Sequence, residues 1–298
     1  MPAIKTDVRV MPIRIAAKRI SGTFLLVLFI LAACAGFMGL KLETDKILRK
    51  KIPGSSIIYV PSGKFLKYVT FGYSGLAADM IYLWAIQYYS TYEIADRFTY
   101  LDHIFAIIAE LDSRYTDPYE VGSMIAGKEA RDIPLALRIL DRGFAKNPDM
   151  WLFPFEAGHI AQTQLKDYDL ARKYFGKAMV LPGAPDFAKR LYANAALKVT
   201  DFKTSWETWL EVYNTATDDR VKKIASNHLY QVKAEMDVDA LKEAVTKFKE
   251  KYSRLPEELP RLVTAGILAS LPKDLDGQDY VYDPATGDVK PPTMWWKR

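Results

Sequence analysis

Cysteine occurs once in these 298 residues and histidine three times. A lone Cys34 excludes an internal disulfide and a cysteine-rich zinc cluster, so the fold has to be held by packing. His103, His159 and His228 stand far apart, none with a partner at ligand spacing, which leaves no metal site and no histidine-based catalytic pair to predict. A phosphate-binding glycine loop is missing, because Gly63 and Lys64 lack the preceding glycine of that motif. No serine sits in a glycine-flanked nucleophile elbow. The sequence therefore predicts no catalytic residues, no cofactor and no small-molecule substrate. A basic body is missing too. The formal charge is +5, but residues 1–19 contribute +4 and residues 41–51 contribute +3, leaving −2 for the rest. Nucleic acid as a partner needs a basic face on the folded body and is not expected; cations on both sides of an apolar run read as membrane flanks.

That run is residues 22–40, nineteen residues without a charge. As a helix it matches the roughly 30 Å hydrocarbon core of a bilayer. The reading is a basic cytoplasmic tail (1–19), a transmembrane anchor (20–42) and a breaker-rich linker (43–63). A short tail, one span and a large body form the arrangement of a signal anchor, which predicts the body outside the cytoplasm. Within the span Leu31, Ala32, Ala33 and Cys34 resemble a bacterial lipobox. The alternative is thus a lipoprotein with Cys34 lipidated, although residues 35–40 continue the apolar run past the cysteine.

Residues 64–95 are rich in aromatics, and their spacing predicts two helices broken near Gly72 and Gly75. Two readings stand: the rings cap a helical domain, or part of the stripe meets lipid headgroups or a membrane partner. Trp84, Tyr88 and Tyr92 are the candidate partner-binding residues of this stretch.

From residue 99 the chain reads as helix after helix, in keeping with 50% hydrophobic and 13% aromatic residues. Ala136, Leu140, Gly143 and Pro148 stand at offsets 0, 4, 7 and 12, and Ala171, Phe175, Ala178 and Pro182 at 0, 4, 7 and 11. Small residues at the first and third places let helices approach closely, the large one fills the gap, and proline ends the helix. This resembles the second helix of a tetratricopeptide repeat. The predicted hairpins cover 119–146, 149–181, 186–215 and 219–252, the last turning between 236 and 238. Trp206, Leu210 and Tyr213 take the motif places in the third, Ala244 and Phe248 in the fourth. Ala106 and Glu110 mark a degenerate hairpin before them. Markers at 136, 171, 206 and 244 step by 35, 35 and 38. The fold expected is mainly α: a transmembrane helix, a repeat solenoid over 64–254, and a C-terminal segment (255–298) with a small β-hairpin.

That last segment predicts a short helix over 257–266 and two strands near 280–282 and 288–290. Its pattern, through Leu262, Gly266, Leu271, Pro272, Asp274, Gly277, Tyr280, Asp283 and Gly287, resembles the C-terminal region of secretion pseudopilins. In that family nearby acids bind calcium, which would fall here to Asp274, Asp276, Asp279 and Asp283; the turn-forming role of aspartate is the competing reading. The chain ends in KPPTMWWKR, where Trp295 and Trp296 are read as docking to a partner subunit, with fold-back onto the body and insertion at lipid headgroup level as the alternatives. Together these features predict a non-catalytic scaffold of a bacterial envelope complex, anchored in the inner membrane with its body in the periplasm and binding other proteins of a membrane or secretion complex. A translocon-associated chaperone and an envelope hydrolase are the rival readings.

Overall fold

The computed structural model describes residues 13–46 and 60–297; the expected tail over 1–12, the linker over 47–59 and Arg298 lie outside the described residues. The chain divides into two units, Met1–Ser56 and Ile57–Arg298. Among its described residues the first contains one helix, α1 (Ile13–Asp45). Its stretch Phe24–Thr44, with a mean hydropathy of 2.3 and none of it buried, is long and apolar enough to cross a membrane. No proline interrupts it, and in lipid a helix satisfies every backbone group internally. α1 also takes in residues 13–19 of the expected tail and 43–45 of the expected linker. Cys34 is exposed on its apolar run.

The second unit runs through α2 (Gly63–Val69), α3 (Ser74–Tyr89), α4 (Leu101–Leu111), α5 (Asp117–Met124), α6 (Ile133–Lys146), α7 (Leu152–Ile160), α8 (Tyr168–Met179), α9 (Asp186–Lys198), α10 (Phe202–Thr215), α11 (Asp219–Tyr252) and α12 (Pro260–Thr264). Strands β1 (Val281–Tyr282) and β2 (Val289–Lys290) pair antiparallel, Val281 opposite Lys290. α5 and α7 each run on into a π-helical turn, Ile125–Glu129 and Ala161–Leu165. From α3 to α11 each helix packs on the next, as in a stack of hairpins that bury their apolar faces on their neighbours.

Three turns within these hairpins share one construction. Arg131, Lys166 and Thr200 adopt left-handed backbone at φ of 56°, 57° and 58°. Each is followed by an aspartate whose carboxylate caps the next helix: Asp132 accepts from the Leu135 N–H at 2.9 Å, Asp167 from Leu170 at 2.9 Å, and Asp201 from Thr204 at 3.2 Å. The inward register of the second helices is equally regular. Ala136, Leu140 and Gly143 are buried, as are Ala171, Phe175 and Ala178. In α10, however, the buried set is Ser205, Trp209 and Val212, one residue earlier than expected, and Leu210 and Tyr213 are exposed. In α4 it is Leu101, Phe105 and Ile108, with Ala106 and Glu110 only half-buried. The first places then fall at Leu101, Ala136, Ala171 and Ser205, in steps of 35, 35 and 34.

The fourth predicted hairpin does not form: α11 is one helix of 34 residues through the expected turn. Met236, Asp237 and Val238 look like the three capped turns, but Asp237 is 6% exposed and spent elsewhere. Its carboxylate accepts a hydrogen bond from the Tyr280 hydroxyl at 2.7 Å and pairs with Lys233 one turn back. Ala244 and Phe248 are buried all the same, and pack with Leu262, Tyr280 and Val289 in a core shared by α11 and the C-terminal segment. α12 is shorter than the helix expected over 257–266.

Candidate protein-binding groove

A concavity between successive hairpins lies between α5 and α7 and encloses about 510 Å³. Its floor is Ser123, Gly127 and Ile160, with Met124 and Phe155 as apolar walls. The floor stays smooth because its hydroxyls turn inward: Ser123 Oγ donates to the Glu120 carbonyl at 2.7 Å, and at the edge Thr163 Oγ1 donates to the His159 carbonyl at 2.6 Å. Met124 is 46% exposed, an apolar side chain held open to solvent.

Four titratable groups face one another across this floor: Glu120 and Lys128 from α5 and its π turn, Glu156 and His159 from α7. Burial lifts the Glu156 carboxyl above the usual carboxylate range, Glu120 adds to the rise, and His159 and Lys128 oppose it. Among the described residues no hydrogen bond or ion pair is formed to Glu156, so the carboxylate is half-desolvated and ready to accept a donor. The arrangement is suited to holding a segment that carries both an apolar side chain and a cation or N–H donor. Among the described residues no group of three or more His, Cys, Asp or Glu side chains is placed to hold a metal ion.

None of the partner-binding candidates named from the sequence lines this groove. Tyr88 is 7% exposed and packs edge-on against Tyr89 at 5.2 Å, so it belongs to the core and not to a docking surface. Half-buried Trp84 stacks on Tyr88 at 5.3 Å, while Tyr92 is 70% exposed under the Arg97 guanidinium. Trp295 folds back: its ring lies 4.7 Å from His228, which stacks in turn on Trp209 at 4.2 Å. The preference for a free docking tail is corrected for this residue, because the stack gives its apolar face a partner within the chain. Trp296 remains 60% exposed and, with Met294, Phe202 and Val238, lines a second cleft of about 470 Å³ between α11 and the tail.

Of the four aspartates to which the pseudopilin resemblance would assign calcium, Asp274 and Asp283 serve as turn formers. Asp274 is buried, accepts from the Tyr230 hydroxyl at 2.8 Å, and accepts from the Asp276 and Gln278 N–H groups. Asp279 pairs with Lys273, and Asp283 accepts from Ala285 and Thr286 in the hairpin turn.

The groove residues had a signal in the sequence that the second-helix motif did not use. Glu120 and Glu156, Ser123 and His159, Met124 and Ile160, Lys128 and Gln164 are each 36 residues apart, so the same face of consecutive first helices builds both walls. Comparison with protein-family models gives no match, and comparison with curated proteins gives none.

Proposed function

We propose that the chain is a non-catalytic, membrane-anchored scaffold of a bacterial envelope complex, built on repeats of the tetratricopeptide kind, which grips a partner protein in the α5–α7 groove. The observation that carries this reading is the pairing of an apolar floor with the unpaired, half-buried Glu156 carboxylate and its neighbour Glu120. α1 and its flanking cations support anchorage in the inner membrane, and the signal-anchor arrangement supports a periplasmic body. A chaperone for unfolded clients would want a broad apolar trough; the discrete charged groups Glu120, Lys128 and Glu156 favour a defined partner segment.

The test is affinity purification of the full chain in mild detergent, native against Glu120→Lys with Met124→Lys. Both side chains are solvent-accessible, so the variant keeps its helical circular dichroism. One or more co-purifying proteins should fall at least tenfold, the loss that about 1.4 kcal/mol of binding energy produces. Identical recovery of every partner by the two chains would remove the groove from the binding surface.

A further inference from the structure

The end of the helical body nearest α1 in sequence exposes apolar side chains that no neighbour covers among the described residues. Phe71 is 89% exposed, Tyr68 83%, Tyr73 72% and Phe65 56%, all at the corner where α2 gives way to α3. The corner is held open by consecutive left-handed residues, Phe71 at φ 48° and Gly72 at φ 92°. From it one face of α3 continues outward through Leu76, Met80 and Leu83, spaced i, i+4 and i+7 and each about 60% exposed. The opposite face of the same helix, with Ala78, Tyr82, Ala85 and Tyr89, is buried against α4. α3 is thus apolar on both sides while only one side has protein to pack on. A helix apolar all round belongs in a core or in lipid, and an exposed patch of this kind on a soluble monomer is a liability.

Charge and chain length decide what covers it. Between Gly63 and Tyr92 the charged residues are Lys64, Lys67 and Asp79, all exposed. Both lysines lie on α2 beside Phe65 and Tyr68, and neither forms an ion pair among the described residues; Asp79 lies at the flank of the exposed face of α3. Aromatic rings bracketed by unpaired lysines match the composition of segments that lie at the headgroup level of a bilayer. The apolar run of α1 ends at Thr44, and fourteen residue steps separate Lys46 from Val60. That length of chain spans at most about 50 Å, so α2 cannot leave the neighbourhood of the membrane that holds α1.

We propose that the α2–α3 corner docks on this membrane surface, with Tyr68, Phe71 and Tyr73 at headgroup level, Leu76, Met80 and Leu83 against the acyl boundary, and Lys64 and Lys67 on anionic lipid phosphates. The body then has two attachments, a span and a surface contact.

The test uses the full chain, with Cys34→Ser, in nanodiscs of phosphatidylcholine and phosphatidylglycerol. A nitroxide is attached through Phe71→Cys, where it displaces no packing, and in a second sample through Lys203→Cys on α10, whose side chain is 85% exposed. Collision with oxygen, which concentrates in lipid, is compared with collision with a water-soluble nickel complex. The expected result is an oxygen-to-nickel ratio several-fold higher at position 71 than at position 203, falling toward the position-203 value when Lys64→Gln and Lys67→Gln are added. Equal ratios at the two positions would overturn the proposal. So would protection from both collision partners accompanied by spin–spin broadening between chains, which would assign the corner to a second copy.

Discussion

Gly158 lies within α7, where a Cβ would stand 2.7 Å from Cδ1 of Phe175, a ring that is itself fully buried. Two effects compete when alanine is placed there. Helix propensity favours alanine by about 1 kcal/mol, and overpacking costs about 1–3 kcal/mol when the neighbour has nowhere to go. Phe175 has nowhere to go, being packed with Ala161, Ala171 and Ala195. Gly158→Ala should therefore lower the thermal midpoint of the full chain. Gly127→Ala is the matched control: its nearest neighbour would be Cβ of Ala136 at 3.5 Å, ordinary contact distance, so its midpoint should hold or rise. A Gly158→Ala chain that melts with or above the native one would mean that α7 and α8 are not so closely packed. The chemistry beside these residues was less visible from sequence than their packing. Ala171 and Phe175 announced themselves as a small and a large residue at fixed spacing, whereas Glu156 is one glutamate among many until a neighbouring helix desolvates it.

At the scale of elements, residues 166–168 and 236–238 read almost alike, Lys-Asp-Tyr against Met-Asp-Val, yet the first is a turn and the second is the middle of a helix. The difference lies in where the carboxylate finds its donors. Asp167 takes its own chain's Leu170 N–H, while Asp237 takes Lys233 and the Tyr280 hydroxyl, which arrives from forty-three residues away. No local pattern encodes that arrival. Nor do the real turns carry glycine: arginine, lysine and threonine adopt the left-handed conformation there, so the usual breaker signal is silent. The one-residue shift in α10 has a similar origin, because Trp209 and Leu210 are adjacent large residues that could each fill the second place, and packing with Ala225 and Leu229 selects Trp209. Asp237→Ala would strip Tyr280, 6% exposed, of its acceptor and leave a buried hydroxyl unsatisfied. The expected cost is about 1–3 kcal/mol in denaturant unfolding, with helical content unchanged. Tyr280→Phe, which removes donor and demand together, should cost less. A larger loss for Tyr280→Phe than for Asp237→Ala would place the stabilisation in the ring hydroxyl's other surroundings and not in this bond.

At the scale of the whole helical body, the stack needs an end that presents polar rather than apolar surface, and the C-terminal segment supplies it by returning along α11. Among the contacts that hold this return are Tyr280 on Asp237, Tyr230 on Asp274, and Trp295 on the ring of His228. The last is sensitive to acid. Burial holds the His228 pKa below its ordinary 6.5, Arg190 lowers it further, and a hydrogen bond with Gln231 opposes the shift without overcoming it. The folded chain thus binds this proton less readily than the unfolded chain does. Stability contributed by the neutral ring is complete above pH 6.5 and declines as the pH falls below that value toward the lowered folded pKa. Protonation also places a cation between two indoles that had packed on a neutral ring. Tryptophan fluorescence and the melting midpoint of the detergent-solubilised chain, followed from about pH 7.5 down to about pH 5, should both shift across this window. His228→Phe keeps a flat ring between Trp209 and Trp295 but cannot titrate, so its midpoint should lose that part of the slope. A variant whose acid slope equals that of the native chain would show that Trp295 is held independently of the charge on His228.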